Sequence, residues 1–125
     1  METMQSLHGK RAIITGGGRG IGRATAERFL TAGAEVYVCC LTRESLDNVL
    51  ADNPGLKGCL ADVGEADQVA QLFHHAEAHL GGLDVLVNNA GIGDPRAPIE
   101  EVTDGEWRHA FAVNIDGMFY PTFPR

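Results

Sequence analysis

Short apolar runs alternate with helix-patterned stretches along the whole chain, and this alternation restricts the fold more than any other feature. Ala12-Ile13-Ile14 forms the core of a first strand over 10–15, and a helix pattern runs from Gly20 to about Thr31, closed by Gly33. Glu35 to Leu41 reads as a second strand, Arg43 to Leu50 as a short helix ended by Asn53-Pro54-Gly55, and Leu56 to Ala61 as a weaker third strand. Val69, Leu72, Phe73, Ala76 and Leu80 then recur at one-face helical spacing, and Gly81-Gly82 stops that helix. Leu83 to Val87 gives a fourth strand, and a last helix begins near Thr103, with Glu106 three residues on as in a capping box. Four strand–helix units imply an α/β chain, a Rossmann-like, doubly wound parallel sheet covered on both faces. No repeat, low-complexity tract or linker divides the sequence, so residues 1–125 are expected to form one domain.

The glycine-rich run Thr15-Gly16-Gly17-Gly18-Arg19-Gly20-Ile21-Gly22 falls between the first strand and the first helix. A helix start offers unpaired N–H groups and the positive end of a dipole, and glycines admit a diphosphate to the backbone. The spacing is G-x-x-x-G-x-G, and no Gly-Lys-Ser/Thr follows to make a nucleotide-triphosphate loop. A dinucleotide is therefore the expected ligand, held by Gly16, Gly18, Gly20, Ile21 and Gly22. An acid near the end of the second strand favours NAD, yet Cys39, Cys40 and Leu41 occupy that place. Arg19 and Arg43 lie where a ribose 2′-phosphate would sit, so NADP is the preferred cofactor and NAD the alternative.

The net charge of −7 disfavours nucleic acid and anionic membranes as partners. No segment has the apolar length of a membrane span or a secretory leader. The three cysteines, Cys39, Cys40 and Cys59, lie in strand-like runs and are expected to be buried reduced thiols of a cytoplasmic protein. His75 and His79 have a spacing that suits a metal, but no third ligand is evident, and no metal site is expected. Trp107, Ala110, Phe111, Asn114 and Met118 share a helix face, and Trp107 and Phe111 are expected in the core.

Four motifs, in order, resemble the short-chain dehydrogenase/reductase family of the single-domain type. Thr15 to Gly22 is similar to its T-G-x-x-x-G-I-G turn, Asp62-Val63 to its D-V, Asn88-Asn89-Ala90-Gly91 to its N-N-A-G, and Asn114 to its helix asparagine. The match covers essentially residues 8 to 119. The resemblance implies an NAD(P)-dependent oxidoreductase moving hydride between nicotinamide and a small carbonyl or alcohol, commonly as a homo-oligomer. It implies that Asp62 and Val63 meet the adenine, although Asp62 could equally cap the following helix. It places Asn89, Ala90 and Gly91 near the nicotinamide ribose, makes Asn114 the catalytic residue present, and gives Gly93-Asp94-Pro95-Arg96 one wall of the substrate site.

The same resemblance marks a gap. The family's serine and its Tyr-x-x-x-Lys pair supply the acid–base chemistry. Here the tyrosines are Tyr37 and Tyr120, followed four residues on by Leu41 and Pro124, and the lysines are Lys10 and Lys57. Family members run to about twice this length, and the tail after Phe119 departs from the pattern, with Pro121 and Pro124 expected to break the last helix. The chain is expected to hold the N-terminal half of the domain only, truncated after the fourth strand and the helix that follows it. Its fourth strand would then be an open edge and its helix faces partly uncovered. Two other readings stand beside the enzyme: a non-catalytic nucleotide-binding or subunit-pairing fragment, and a truncated product without function.

Overall fold

The computed structural model describes residues 6–91 and 98–122. Its elements are β1 (Arg11–Thr15), α1 (Gly20–Thr31), β2 (Glu35–Cys40), α2 (Arg43–Asp52), β3 (Lys57–Leu60), α3 (Ala66–Leu80), β4 (Val85–Val87), a 3-10 turn (Ile99–Glu101), α4 (Asp104–Phe111), a π-helical turn (Ala112–Asp116) and α5 (Gly117–Thr122). The four strands form one parallel sheet in the order β3-β2-β1-β4. The third and fourth strands are shorter than their apolar runs, but element type and order follow the sequence pattern.

The pleat of β2 sorts its side chains into two cores. Val36, Val38 and Cys40 pack with Ile14, Ala26, Leu46 and Val49 against α1 and α2. Tyr37 and Cys39 pack with Ile13, Val69, Leu72, Phe73 and Ala76 against α3. The periodic face of α3 is thus its buried face, and the helix ends where the Gly81 N–H bonds the Glu77 carbonyl at 2.8 Å. At the N-terminal end of β1, Arg11 holds the approach to β4. Its Nε donates to Asp84 Oδ2 at 3.1 Å and its Nη1 to the Gly81 carbonyl at 3.1 Å.

The last helical stretch departs from expectation in two ways. Its buried side is Val113, Gly117 and Pro121, with Val113 and Tyr120 joining the α3 core. Gly117 is small because Val63 lies against it: a methyl there would come within 3.2 Å of the Val63 Cβ. The face expected in the core is instead exposed, with Trp107 at 54%, Phe111 at 48% and Met118 at 44% accessible, joined by Ile115 and Phe119. Apolar spacing marks a face that needs cover, but the cover for this one is not among the described residues. The second departure is Pro121, which lies inside α5 rather than ending it. It stands in the fifth position of that helix, after the π-helical turn has already disturbed the regular bonding pattern, and its ring is buried. Pro124 lies outside the described residues.

Candidate functional site

Where β1 runs into α1 the chain makes a bend fastened to the end of β4. Thr15, 1% exposed, is the fastener. Its Oγ1 accepts the N–H groups of Asn89 and Ala90, each at 3.0 Å, and lies 3.4 Å from the Val87 carbonyl to which it can donate. Asn89 answers with its Nδ2, which donates to the Gly16 carbonyl at 3.1 Å. Gly16 has φ +66, and a Cβ on it would come within 2.9 Å of the Ala90 Cα, so the approach of the two loops requires glycine. The Gly17 N–H bonds the Cys39 carbonyl at 3.1 Å and so joins the bend to β2 as well.

Beyond this junction opens a cavity of about 270 Å³ at the carboxyl ends of the strands. Gly16, Gly18, Arg19 and Gly20 form one wall, Cys40, Leu41, Thr42 and Ser45 the second, and Asn89, Ala90 and Gly91 the third, with Cys39, Ala61, Val63 and Val113 also contributing. Gly20, at φ +57, has open space where a side chain would begin. The described lining carries one charged side chain, Arg19, and no carboxylate. A diphosphate fits this wall. It would meet the start of α1, whose cap residue Arg19 supplies no side-chain hydrogen bond to the first turn.

Of the residues singled out from the sequence, Gly16, Gly18, Arg19, Gly20, Val63, Asn89, Ala90 and Gly91 line this cavity. Gly22 is buried beneath it. Ile21 turns away to solvent at 80% exposure, so its part is to start α1 and not to wall the cavity. Arg43 also lies off the lining. It sits in the first turn of α2, with its Nη1 3.8 Å from Asp47 Oδ1, and both side chains are well exposed. Asp62 does not cap α3, whose cap is Glu65. It forms its own turn, Oδ1 accepting the Gly64 N–H at 2.8 Å, while its N–H is bonded by Gln68 Oε1 at 2.8 Å. Its neighbours Ala61 and Val63 reach the cavity. Asn114 lies on the π-helical turn, beside Gly91: a Cβ on Gly91 would come 3.2 Å from Asn114 Oδ1. The Gly93 to Arg96 segment lies outside the described residues.

Thr42 and Ser45 are the pair that sequence reading passed over. Thr42 caps α2, its Oγ1 accepting the Ser45 N–H at 3.2 Å and lying 2.9 Å from Ser45 Oγ. A threonine directly before a helix pattern with serine three residues on is a capping signal that could have drawn attention to them. Burial pushes the two thiols of the cavity upward, Cys39 to about 12 and Cys40 to about 11, so both stand protonated and uncharged at neutral pH. Asn88, next to the junction, donates from Nδ2 to Thr122 Oγ1 at 3.0 Å. Its Oδ1 is buried without a hydrogen-bond partner among the described residues.

Known proteins are similar to this chain in sequence and fold. A short chain dehydrogenase/reductase of Macrophomina phaseolina is 40% identical over 119 residues, covering 91% of this chain and 68% of its own. A 3beta-hydroxysteroid dehydrogenase of Eggerthella lenta is 38% identical over 120 residues, covering 93% of this chain and 46% of its own. The crystal structure of a 3-ketoacyl-(acyl-carrier-protein) reductase from Brucella melitensis, complexed with NADH, matches with a TM-score of 0.88 at 33% identity, over 94% of this chain and 48% of that one. The chain spans about half the length of most curated relatives it matches. The sequence model of the family described as short chain dehydrogenase matches residues 10–123, nearly all of what is present. By sequence, by fold and by the bend that joins β1, α1 and β4, this chain belongs to the short chain dehydrogenase family.

Proposed function

We propose that this chain supplies the nicotinamide-dinucleotide site of an oxidoreductase that interconverts a small carbonyl and its alcohol. The observation that carries the proposal is the cavity wall of Gly16, Gly18, Arg19 and Gly20 at the start of α1, facing a lining without carboxylates. Gly16, Gly18, Gly20, Ile21 and Gly22 would hold the diphosphate at the start of α1, where backbone N–H groups are available. Arg19, with Thr42 and Ser45 opposite, would take the 2′-phosphate of NADP, which we favour over NAD. Arg43 would join them only by releasing Asp47. Asp62 has a second carboxylate oxygen to offer an adenine amino group, with Val63 beneath the ring. Asn89, Ala90 and Gly91 would border the nicotinamide ribose, and Asn114 would orient groups beside Gly91. A bound nicotinamide supplies or takes the hydride.

These residues bind and orient; the sequence of 125 residues contains no Tyr-x-x-x-Lys to pass the proton. We therefore expect the purified chain to bind cofactor without turnover. The substrate is a small molecule, the protein acts in the cytoplasm, and a second copy of the chain is a further partner. Among the described residues no helix is long and apolar enough to cross a membrane.

Titration of NADPH against the chain, followed by nicotinamide fluorescence, tests the reading. Saturable binding, tighter than that of NADH, is expected. Gly20→Asp keeps a residue type that tolerates positive φ and sets a carboxylate against the diphosphate, so it should abolish the signal while the circular dichroism stays unchanged. An unmodified chain that gives no signal at millimolar NADPH would overturn the reading. Steady oxidation of NADPH with simple ketones would overturn the expectation of no turnover.

A further inference from the structure

Cys39 and Cys59 are register partners on β2 and β3. Both side chains leave the same face of the sheet, since both pack in the cluster beneath α3. Neighbouring strands stand about 4.8 Å apart, inside the roughly 4.4–6.8 Å Cα range of a disulfide. Parallel Cβ directions leave the Cβ atoms near that same separation, against a mean of about 3.8 Å in disulfides, so closure pinches the strands by about 1 Å. Cys59 is half-buried and Cys39 fully buried. Burial holds the Cys59 thiol above its ordinary range, and the Tyr37 hydroxyl on the same face offsets part of that rise. Cys40 projects to the opposite face, into the cluster beneath α1 and α2, and cannot reach either partner.

We propose that Cys39 and Cys59 are a modification site, a cross-strand dithiol that closes to a reversible disulfide by exchange with a low-molecular-weight disulfide and thereby weakens the adjoining cofactor cavity. The Cys59 thiolate attacks one sulfur of the small disulfide, forming a mixed disulfide and releasing one thiolate. The Cys39 sulfur then attacks the Cys59 sulfur and displaces the second. The protein gives up two protons and two electrons, and the small disulfide becomes two thiols. Strain in the pinched product makes it easy to reduce, which is the property of a switch and not of a structural bridge. The coupling is direct. Cys39 lines the cavity, and its carbonyl holds the Gly17 N–H. A pull on Cys39 toward β3 therefore moves the bend that would receive the diphosphate.

The 125-residue chain equilibrated with oxidised glutathione, quenched in acid and digested without reduction tests this. A loss of two hydrogen masses and a peptide joining Cys39 to Cys59 are expected, both reversed by dithiothreitol. Cys40→Ser should leave the crosslink in place and Cys59→Ser should remove it. The coupling rests on the cofactor reading given above, and the oxidised chain should bind NADPH about fivefold or more weakly, a modest coupling between sites. Absence of the crosslinked peptide from unmodified protein would overturn the proposal, as would a crosslink through Cys40. A crosslink with equal NADPH affinity in both states would overturn the coupling. A crosslink in a chain that never binds NADPH would instead refute the cofactor reading and leave the disulfide standing.

Discussion

The two sides of the sheet's centre differ sharply in cover. On one side β2 is buried along Val36 to Cys40, with α1 and α2 on one face and α3 on the other. On the other side β4 pairs with β1 alone among the described residues, none of its three residues is fully buried, and α4 has no buried residue at all. The same kind of apolar residue thus serves two ends. Within β1, β2 and α3 it fills a closed core, whereas along α4, the π-helical turn and α5 five large apolar side chains form an exposed ridge. An apolar ridge of this size is a surface shaped for cover rather than for water.

Core truncation should separate the two regions most clearly. Leu72→Ala, at a site with no exposure, should cost about 3–4 kcal/mol in urea unfolding. Phe111→Ala on the ridge should cost about 0.5 kcal/mol or less and should lower self-association in sedimentation runs. Equal losses at the two sites would erase the distinction. The junction between the regions comes next. Thr15→Val keeps the shape but leaves the Asn89 and Ala90 N–H groups without their acceptor, and should cost about 2–3 kcal/mol. A loss below a tenth of that would mean β4 is fastened by its ladder alone.

The smallest effect is that of pH. The Arg11 guanidinium, hydrogen-bonded to Asp84, holds that carboxyl below its usual range, and Asn53, ahead of Arg23, does the same for Glu27. Depressed carboxyls lend stability that is present above their unfolded range and disappears as pH falls through their folded values. Thermal midpoints should therefore decline on acidification below the ordinary carboxylate range, and Asp84→Asn should flatten part of that decline. Cys39 works from the other end. Raised to about 12 by burial, it lends stability below the ordinary thiol range that is lost as pH climbs toward its folded value. A melt indifferent to acid would show that the Arg11–Asp84 link contributes nothing to holding β4.

How much of this was readable in advance follows the same divide. The bend at Gly16 to Gly22 and the buried face of α3 were legible because each is a local signal completed by neighbours within the chain. The turn before α1 must be glycine-rich for steric reasons, and Val69, Leu72, Phe73 and Ala76 find their core between β2 and β3. The face of α4 was misread because spacing identifies an apolar stripe without identifying its partner. Arg43 stands off the cavity lining for another reason. A residue one position past a helix cap turns with the helix, and Asp47 one turn on attracts it. Thr42 and Ser45 went unnoticed because capping residues look like ordinary loop polarity until the cavity beside them is seen.

The π-helical turn over Ala112–Asp116 has a geometric consequence for the ridge. In an α-helix each step of four residues overshoots a full revolution by about 40°, so Trp107, Phe111, Ile115 and Phe119 would wind about a third of the way around the axis. A wider turn in the middle, closing at i→i+5, takes back much of that drift. The four side chains are thereby kept closer to one straight seam, and dropping a single residue from the turn would set the seam spiralling again and carry Asn114 out of phase with Gly91.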